Sequence, residues 1–271
     1  MRLQDKVAII IGAGQGEGST AAVGNGRATA LVFAREGAKV LVVDRDHHLG
    51  CRDGHAYRPA GRRSNACQAD VVDEQQIKAV IDTCMQRWGR IDILHNNVGI
   101  SVAGNDAAVE DITTEAFDRL VAVNLRGMVY SCKHTIPIMR QQRSGAIVNI
   151  SSMAAWTTYP WVGYKTTKAA VIALTQQIAI QNAPYGIRAN VILPGLMDTP
   201  MAVDTRARTW GRWREAIAAE RDAQVPLRQK MGTAWDVANA ALFWPLMRQT
   251  SLLAWRCPST GCQRAWDEPC R

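Results

Sequence analysis

The stretch "KVAIIIGAGQGEGSTAAVGNGRATALVF", residues 6–33, predicts how the fold of this chain begins. Residues 6–11 form a short apolar run closed by glycine, which is typical of a strand buried on both faces. From residue 26 onward apolar side chains recur at helical spacing, and the predicted helix ends on Gly37. A glycine-rich loop between a strand and a helix lets the backbone approach a pyrophosphate at the helix amino terminus.

The same alternation of strands and helices continues along the chain. Predicted buried strands cover 39–44, 91–97, 146–152 and 187–195. Apolar residues at helical spacing predict helices around 77–88, around 117–128 and from Tyr164 onward. Apolar strands that alternate with helices indicate a parallel sheet covered on both faces, so we predict a single-domain α/β fold with a doubly wound, Rossmann-like sheet. Ligands of such folds bind beyond the carboxyl ends of the strands.

Composition and charge argue against several classes of protein. The 271 residues carry a net charge of +8, but most of the excess lies in 47–63 and 244–271, so no basic stripe indicates nucleic acid binding. No apolar run approaches the roughly 18 residues of a membrane span, and the amino terminus is typical of a strand rather than a signal. The seven cysteines lack a CxxC pair or a His-Cys ligand spacing, which predicts reduced thiols in a cytoplasmic protein without a metal site.

The glycine-rich loop allows two registers for a dinucleotide site. In one register, Gly12, Gly16 and Gly18 form a GxxxGxG pattern directly after the strand. In the other, two glycines end the strand, two more begin the helix, and 16–23 form an enlarged loop. We favour the second register, which assigns cofactor binding to Gly12, Gly14, Gly24 and Gly26.

Asp44 closes the second predicted strand. A carboxylate at this place accepts hydrogen bonds from the adenosine ribose hydroxyls and repels a 2′-phosphate. The neighbouring Arg45 weakens this preference, and Asp44 could instead cap the following turn. The sequence therefore predicts NAD as the cofactor, with NADP as the less favoured alternative.

Tyr164 and Lys168, in "YKTTK", are four residues apart at the start of a predicted helix. This spacing places both side chains on one face of the helix, side by side. A free phenol has a pKa of about 10 and is a poor base at neutral pH, whereas a neighbouring ammonium favours the phenolate and lowers that pKa. The pair is therefore predicted to act as a tuned acid/base; a packed tyrosine beside a solvated lysine is the alternative.

Several short motifs, taken in order, make the chain from about residue 3 to 243 similar to the short-chain dehydrogenase/reductase family. Besides Tyr164 and Lys168, they are "QADV" (68–71), "HNNVG" (95–99), "VNLRG" (123–127), "NISS" (149–152) and "PGLMDT" (194–199). The resemblance implies a Rossmann-type NAD(P)-binding domain over residues 1–243, followed by an atypical tail over 244–271. It also implies hydride transfer between a nicotinamide cofactor and a CH–OH group.

The resemblance implies roles for individual residues. The catalytic set is Asn124, Ser152, Tyr164 and Lys168. Ser152 would hydrogen-bond the substrate oxygen, and Asn124 would hold a water that links Lys168 to solvent. Besides the glycines and Asp44, the implied cofactor contacts are Asp70, Val71, Asn97, Gly99, Tyr164, Lys168 and Thr199. Thr199 would hold the nicotinamide carboxamide.

The serine of the catalytic set is open to one alternative. Ser152 lies one residue closer to Tyr164 than is usual in the family, and Ser151 would match the usual spacing. The family's serine is normally the second of the pair. We therefore predict Ser152 and a loop shortened by one residue.

Two stretches depart from the family pattern. An amphipathic helix is expected after Asp46, yet 47–63 contains Gly, Pro and Arg without a helical period, and 244–271 is rich in Trp, Cys and Arg where the last strand is expected. We hypothesise that both result from shifted reading frames, because restoring one base before the Trp244 codon permits a family-like sequence in the neighbouring frame. Such a tail is expected to weaken the final strand and the subunit contacts around it.

The predicted substrate is a bulky secondary alcohol or ketone. A substrate loop is expected over 199–233. An apolar pocket is predicted from Met153, Trp156, Tyr159, Trp161, Met197, Met201, Trp210 and Trp213. The alternative is that these side chains pack in the core. The leading prediction is an NAD-dependent alcohol dehydrogenase that forms a homo-oligomer, a dimer or a tetramer. The alternatives are an NADPH-dependent ketone reductase and a catalytically impaired dinucleotide-binding protein.

Overall fold

The computed structural model describes residues 1–14, 22–46, 65–246 and 256–258. The alternative glycine register with Gly16 and Gly18 and the segment 47–63 lie outside the described residues. Of the tail, only 244–246 and 256–258 are described.

Nine strands occur in the described part of the chain. They are β1 (Val7–Ile11), β2 (Lys39–Asp44), β3 (Asn65–Gln68), β4 (Ile93–Asn96), β5 (Gly145–Ile150), β6 (Ile187–Leu193), β7 (Met197–Asp198), β8 (Gly232–Thr233) and β9 (Arg256–Pro258). Seven of them form one sheet in the order β3-β2-β1-β4-β5-β6-β9, and β7 pairs with β8. The strand order reverses at β1 and β4, and such a switch point opens a crevice beyond the carboxyl ends of the strands.

The helices of the same ranges cover both faces of the sheet. They are α1 (Asn25–Arg35), α2 (Glu74–Trp88), α3 (Thr114–Val121), α4 (Gly127–Gln142), α5 (Val162–Asn182), α6 (Thr205–Trp210), α7 (Arg214–Asp222) and α8 (Ala234–Leu246). Two π turns accompany them: Ala122–Arg126 joins α3 to α4, and Pro200–Asp204 leads into α6.

Alternate side chains of the central strands pack against helices on opposite faces of the sheet. In β1, Ala8 and Ile10 belong to an apolar cluster with α1 and α8. Ile9 and Ile11 belong to a second cluster, which contains residues of α2, α4 and α5. Since burial of an Ile or Leu side chain contributes about 1.5–3 kcal/mol relative to exposure, these two clusters hold the layers together.

The prediction of a doubly wound parallel sheet is confirmed, since the six strand pairs of the main sheet are all parallel. Three local features differ from the sequence-based expectation. The strand β3 was not predicted, because "NACQ" is short and lacks an apolar run, and it pairs with β2. The helix expected around 117–128 is interrupted by the π turn. The segment 199–233, expected as a loop, contains α6 and α7, which an apolar cluster around Val203 and Ile217 anchors.

Helix α8 continues past residue 243, where the sequence places the end of the domain. Trp244 is 3% exposed and lies in the apolar core. The guanidinium of Arg188, on β6, donates hydrogen bonds to the carbonyl oxygens of Trp244 and Pro245. A cation at this place satisfies the last carbonyls and complements the negative end of the helix dipole. The end of α8 is thus held by a residue of the sheet.

No helix within the described ranges combines the length and apolarity that crossing a membrane requires. In the same ranges, no group of three or more His, Cys, Asp or Glu side chains is placed to hold a metal ion. Cys67, Cys84 and Cys132 are free thiols.

Candidate active site

A cleft of about 1280 Å³ opens at the carboxyl ends of the strands, beside the switch point between β1 and β4. It brings together most of the residues that the sequence singles out: Gly12, Gly14, Gly24, Asp44, Asp70, Val71, Asn97, Gly99, Ser152, Tyr164, Lys168 and Thr199. Gly26 and Asn124 do not line the cleft.

Glycine is required at both ends of the loop between β1 and α1. Gly12 has a φ of +86°, and a Cβ atom built there would lie 2.7 Å from a methyl carbon of Val98. A Cβ atom on Gly26 would lie 2.1 Å from the carbonyl oxygen of Gly12. Gly24, by contrast, has room for a side chain, since its Cβ atom would be 3.7 Å from the carbonyl oxygen of Gly14. The close approach of strand end and helix start forms a cradle of the kind a dinucleotide requires.

Asp44 lies in the cleft and ties the glycine loop to β2. Its Oδ2 accepts a hydrogen bond of 2.9 Å from the amide of Gly14, and its Oδ1 accepts one of 3.3 Å from the amide of Asp46. The second bond is the turn cap that the sequence allowed as an alternative. The Asp44 carboxylate therefore accepts hydrogen bonds from the nearby backbone and also lines the cleft.

Two residues on the predicted adenine side lie in the turn after β3. Oδ1 of Asp70 accepts a hydrogen bond of 3.1 Å from the amide of Val72. Val71 packs closely against Gly127, where a Cβ atom would lie 2.8 Å from the Val71 side chain. Gly127, in the first turn of α4, thus fixes the position of Val71 in the wall of the cleft.

Asn97 and Gly99 follow β4. The side-chain amide of Asn97 donates a hydrogen bond of 2.9 Å to the carbonyl oxygen of Gly12, which joins β4 to the glycine loop. A Cβ atom on Gly99 would lie 2.9 Å from Nζ of Lys168. Glycine at this position therefore leaves space for the ammonium group.

Helix α5 carries Tyr164 in its first turn and begins under the carboxylate of Asp106. The Asp106 oxygens accept hydrogen bonds of 2.8 Å from the amide of Gly163 and 2.9 Å from the amide of Tyr164. A negative charge at a helix amino terminus satisfies free amides and complements the helix dipole. Sequence reasoning missed Asp106, because the cap comes from a loop more than fifty residues upstream.

The Tyr164 hydroxyl lies close to Ser152, but the pKa of Tyr164 differs from the expectation. Burial raises the pKa of Tyr164 to about 12, and this effect outweighs the lowering by the Ser152 hydrogen bond. The expected lowering by Lys168 was therefore wrong for this structure, because a buried phenol resists ionisation. The Lys168 ammonium lies 5.6 Å from the centroid of the tyrosine ring, so the two groups are adjacent as the spacing predicts.

Lys168 is 2% exposed and donates a hydrogen bond of 2.9 Å to the carbonyl oxygen of Ile150. Burial lowers the pKa of its ammonium to about 8. The site thus holds a buried amine whose proton is weakly bound.

The two serines differ in what they contact. Ser151 is 2% exposed, and its hydroxyl donates a hydrogen bond of 2.6 Å to the carbonyl oxygen of Lys168. The Ser152 hydroxyl accepts a hydrogen bond of 3.1 Å from the amide of Ala154 and lies close to the Tyr164 hydroxyl. Ser152 is therefore the serine beside the phenol.

Asn124 is fully buried in the π turn. Its Oδ1 accepts a hydrogen bond of 2.7 Å from the amide of Ile100, and its Nδ2 donates to the carbonyl oxygen of Ile100 at 2.9 Å and to Thr167 at 3.1 Å. This side chain ties the loop after β4 to α5. Both of its N–H groups are used in that role.

Thr199, at the other side of the cleft, begins the second π turn. Its hydroxyl accepts a hydrogen bond of 3.3 Å from the amide of Ala202, so it caps this turn. The turn leads directly into α6.

The apolar wall that the sequence predicted is formed in part. The predicted side chains that line the cleft are Met153, Tyr159, Trp161, Met197, Met201 and Trp210. The Tyr159 ring lies 5.5 Å from those of both Tyr164 and Trp161, measured between centroids. The prediction was wrong for Trp156 and Trp213, which do not line the cleft; Trp213 is 83% exposed. Sequence reasoning missed Arg206 and Arg221, which carry no motif and enter the cleft from α6 and α7.

Proteins that are similar to this chain include dehydrogenases and reductases. Residues 18–248 match a family model described as enoyl-(acyl carrier protein) reductase. The chain is 35% identical over 246 residues to 2-(R)-hydroxypropyl-CoM dehydrogenase of Xanthobacter autotrophicus, covering 88% of this chain and 90% of the relative. The solved structure of levodione reductase has a TM-score of 0.86 and 31% identity, over 96% of this chain and 97% of that one.

The chain belongs to the short-chain dehydrogenase/reductase family. Its relatives named above are oxidoreductases. Similar structures include xylitol dehydrogenase bound to NAD+, with a TM-score of 0.83, 28% identity and coverage of 96% of this chain and 100% of that one. They also include ElxO bound to NADP, with a TM-score of 0.78, 26% identity and coverage of 94% and 98%. A nicotinamide dinucleotide is therefore the cofactor class of the family.

Proposed function

We propose that this protein is an NAD-dependent oxidoreductase that interconverts a secondary alcohol and a ketone, with Tyr164 as general acid/base. The proposal rests on one observation. The Tyr164 hydroxyl lies close to Ser152, and Lys168 lines the same cleft with its ammonium beside the tyrosine ring. Reduction of a carbonyl group needs a proton donor at its oxygen while hydride adds to its carbon. The hydroxyls of Tyr164 and Ser152 would hydrogen-bond that oxygen.

Tyr164 would donate its proton in ketone reduction and take it back in alcohol oxidation, while Ser152 holds the substrate oxygen. The nicotinamide supplies or accepts the hydride when the cofactor is bound. Because burial keeps the pKa of Tyr164 near 12, the phenol holds its proton at neutral pH, as reduction requires. Oxidation needs the phenolate, so its rate should rise with pH.

Lys168 would hold the nicotinamide ribose, and its low pKa suits an amine that passes a proton onward. The proton relay through a water at Asn124 stays a prediction. Since the Asn124 amide is bonded to Ile100 and Thr167, we assign Asn124 the further role of a positioning residue that keeps the loop after β4 against α5.

The cofactor would lie along the cleft, with its pyrophosphate on the amino terminus of α1. The close packing of Gly26 against the carbonyl oxygen of Gly12 brings the strand end and the amino terminus of α1 together, as the glycine loop of a dinucleotide site requires. The remaining proposed contacts are Gly14, Gly24, Asp44, Asp70, Val71, Asn97, Gly99, Tyr164, Lys168 and Thr199.

The preference for NAD rests on the Asp44 carboxylate in the cleft, which would repel a 2′-phosphate. Arg45 also lines the cleft and favours the second candidate function, an NADPH-dependent ketone reductase. Titration of the apoprotein with NADH and with NADPH, followed by cofactor fluorescence, separates the two. Tighter binding of NADPH would contradict the NAD assignment.

The proposed chemistry is tested by NADH formation and consumption with a panel of secondary alcohols and ketones. Tyr164→Phe should lower kcat/KM by about 10²- to 10⁴-fold, the usual contribution of a general acid/base. Tyr185→Phe is a matched control, since Tyr185 packs against the guanidinium groups of Arg140 and Arg143, away from the cleft. Equal turnover by wild type and Tyr164→Phe would refute the mechanism. NADH binding without any turnover would favour the catalytically impaired alternative.

We also infer a cytoplasmic homo-oligomer, a tetramer or dimer, on the strength of the family resemblance and the free thiols of Cys67, Cys84 and Cys132. Light scattering coupled to gel filtration measures the oligomeric state. A monomer at micromolar concentration would contradict this inference.

A further inference from the structure

Two arginines missed by the sequence analysis stand beside the proposed catalytic tyrosine. Nη2 of Arg206, on α6, donates a hydrogen bond of 3.4 Å to the Tyr159 hydroxyl, and the Tyr159 ring lies 5.5 Å from the Tyr164 ring. Arg221, on α7, lines the same cleft and lies close enough to Tyr159 and Tyr164 to affect the pKa of both phenols. The two guanidinium groups therefore face the place where the substrate oxygen would bind.

Three carboxylates near this end of the cleft are paired with other arginines. A fourth, Asp106, accepts hydrogen bonds from the amides of Gly163 and Tyr164. Arg214 forms ion pairs with Asp198 and Asp204. Arg212 binds Glu220 through two hydrogen bonds. Among the described residues, neither Arg206 nor Arg221 has a salt bridge.

Arg221 is held in a setting that is unfavourable for an isolated cation. Its Nε is buried and has no hydrogen-bond partner within the described part of the chain. Burial, and then the positive charge of Arg206, lower the pKa of Arg221 to about 10. A buried donor without a partner and two like charges in proximity both raise the free energy of the folded state. An anion placed between the two groups would relieve both effects.

Arg206 is fixed in place, as a binding group must be. It lies 5.8 Å from the centroid of the Trp161 ring and 5.9 Å from that of Trp210, and its Nη1 donates to the carbonyl oxygen of Ala202. Stacking on aromatic rings and a fixed fork of donors are the properties for which arginine is used to bind carboxylates.

We infer that Arg206 and Arg221 bind an oxyanion group, such as a carboxylate, carried by the substrate, and so orient its alcohol or ketone carbon toward Tyr164. The substrate class is then a hydroxy acid or oxo acid rather than a neutral alcohol. This inference rests on the proposed function for the position of the reacting carbon. The apolar residues of the cleft would contact the chain that joins the two functional groups.

The test compares hydroxy acids with their methyl esters, which keep the reacting carbon and remove the charge. The probes are 3-hydroxybutyrate, 4-hydroxypentanoate and 5-hydroxyhexanoate, because the length of the connecting chain is the variable to be found. At least one acid should exceed its ester in kcat/KM by tenfold or more. Arg221→Met should lower kcat/KM for that acid by about 10- to 100-fold, which is the loss expected for a hydrogen bond to a charged group. The ester should lose much less, since it keeps only the effect of Arg221 on the pKa of Tyr164. Arg221→Lys should recover part of the loss.

Arg228→Met is the matched control, since Arg228 is exposed and does not line the cleft. Esters turned over as well as the acids, with Arg221→Met affecting both equally, would overturn the inference and leave the proposed function standing. Weaker NADH binding by Arg221→Met, to the same degree as the loss in acid turnover, would show a cofactor contact instead and would also overturn it. If no probe is turned over, calorimetric titration of Tyr164→Phe with the acids and esters tests the inference by binding alone. Binding of an acid but not of its ester supports the inference although the proposed function fails. Absence of binding overturns the inference.

Discussion

Replacing Lys168 with methionine should affect the stability of the fold and the activity of the protein in different ways. The lysine is 2% exposed, and burial lowers the pKa of its ammonium from 10.5 to about 8. At about 1.4 kcal/mol for each pKa unit, the folded state holds the charged form at a cost of about 3 kcal/mol. Methionine has a similar length and no charge, so the variant avoids this cost. It leaves the carbonyl of Ile150 without its donor, which costs about 1–3 kcal/mol.

The sign of the pH dependence follows from the direction of the shift. Below the folded pKa near 8, folded and unfolded chains both hold the proton, and the full destabilisation is present. Between there and 10.5 the unfolded chain binds more protons than the folded chain, so wild-type stability rises with pH. The methionine variant lacks this contribution. Its free energy of unfolding, relative to wild type, should therefore fall by about 3 kcal/mol from pH 7 to pH 10.5.

Urea unfolding of both proteins at the two pH values measures this difference, and alcohol oxidation measured in parallel should be strongly reduced in the variant. Lys78→Met is the control, because Lys78 pairs with Asp82 on the exposed side of α2. A difference between Lys168→Met and wild type that stays constant from pH 7 to pH 10.5 would refute the buried, weakly protonated ammonium.

Two further substitutions test the frame of the site. Gly26→Ala puts a Cβ atom 2.1 Å from the carbonyl oxygen of Gly12, so unfolding by urea should show a loss of about 1–3 kcal/mol and NADH binding should weaken. Gly24→Ala, with 3.7 Å of space, should leave the free energy of unfolding unchanged, and equal losses of stability in the two variants would contradict the close contact at Gly26. Asp106→Ala removes the carboxylate that accepts from the Tyr164 amide and should cost about 0.5–2 kcal/mol of stability while lowering kcat more than it changes NADH affinity. Unchanged stability and kcat would show that this cap has no role.

The sheet could be predicted because its strands are apolar runs bounded by glycine or charged residues. "VAIII" in β1 is buried at every position, and hydrophobic periodicity is sufficient to identify such a strand. β3 could not be found in this way, since "NACQ" owes its conformation to pairing with β2 rather than to its own pattern. The same limit applies to α6 and α7, which the contacts around Val203 and Ile217 hold in place.

Residues of the site could be predicted where a local pattern carries them. The spacing of Tyr164 and Lys168 brings their side chains together on α5. Contacts between distant parts of the chain left no local signal, and Asp106 and Arg221 were missed for that reason. The acidity of Tyr164 was misjudged because the sequence shows which charge is near but not how deeply the phenol is buried.

The hydrogen bonds from Arg188 to the end of α8 have a consequence for the evolution of this chain. Since β6 itself supplies the donors for the carbonyl groups of Trp244 and Pro245, a side chain 56 residues upstream ties the end of the closing helix to the sheet. The acceptors at Trp244 and Pro245 are backbone carbonyls, which every residue carries. A change of reading frame before the Trp244 codon therefore replaces the side chains of this segment and keeps the groups to which Arg188 donates.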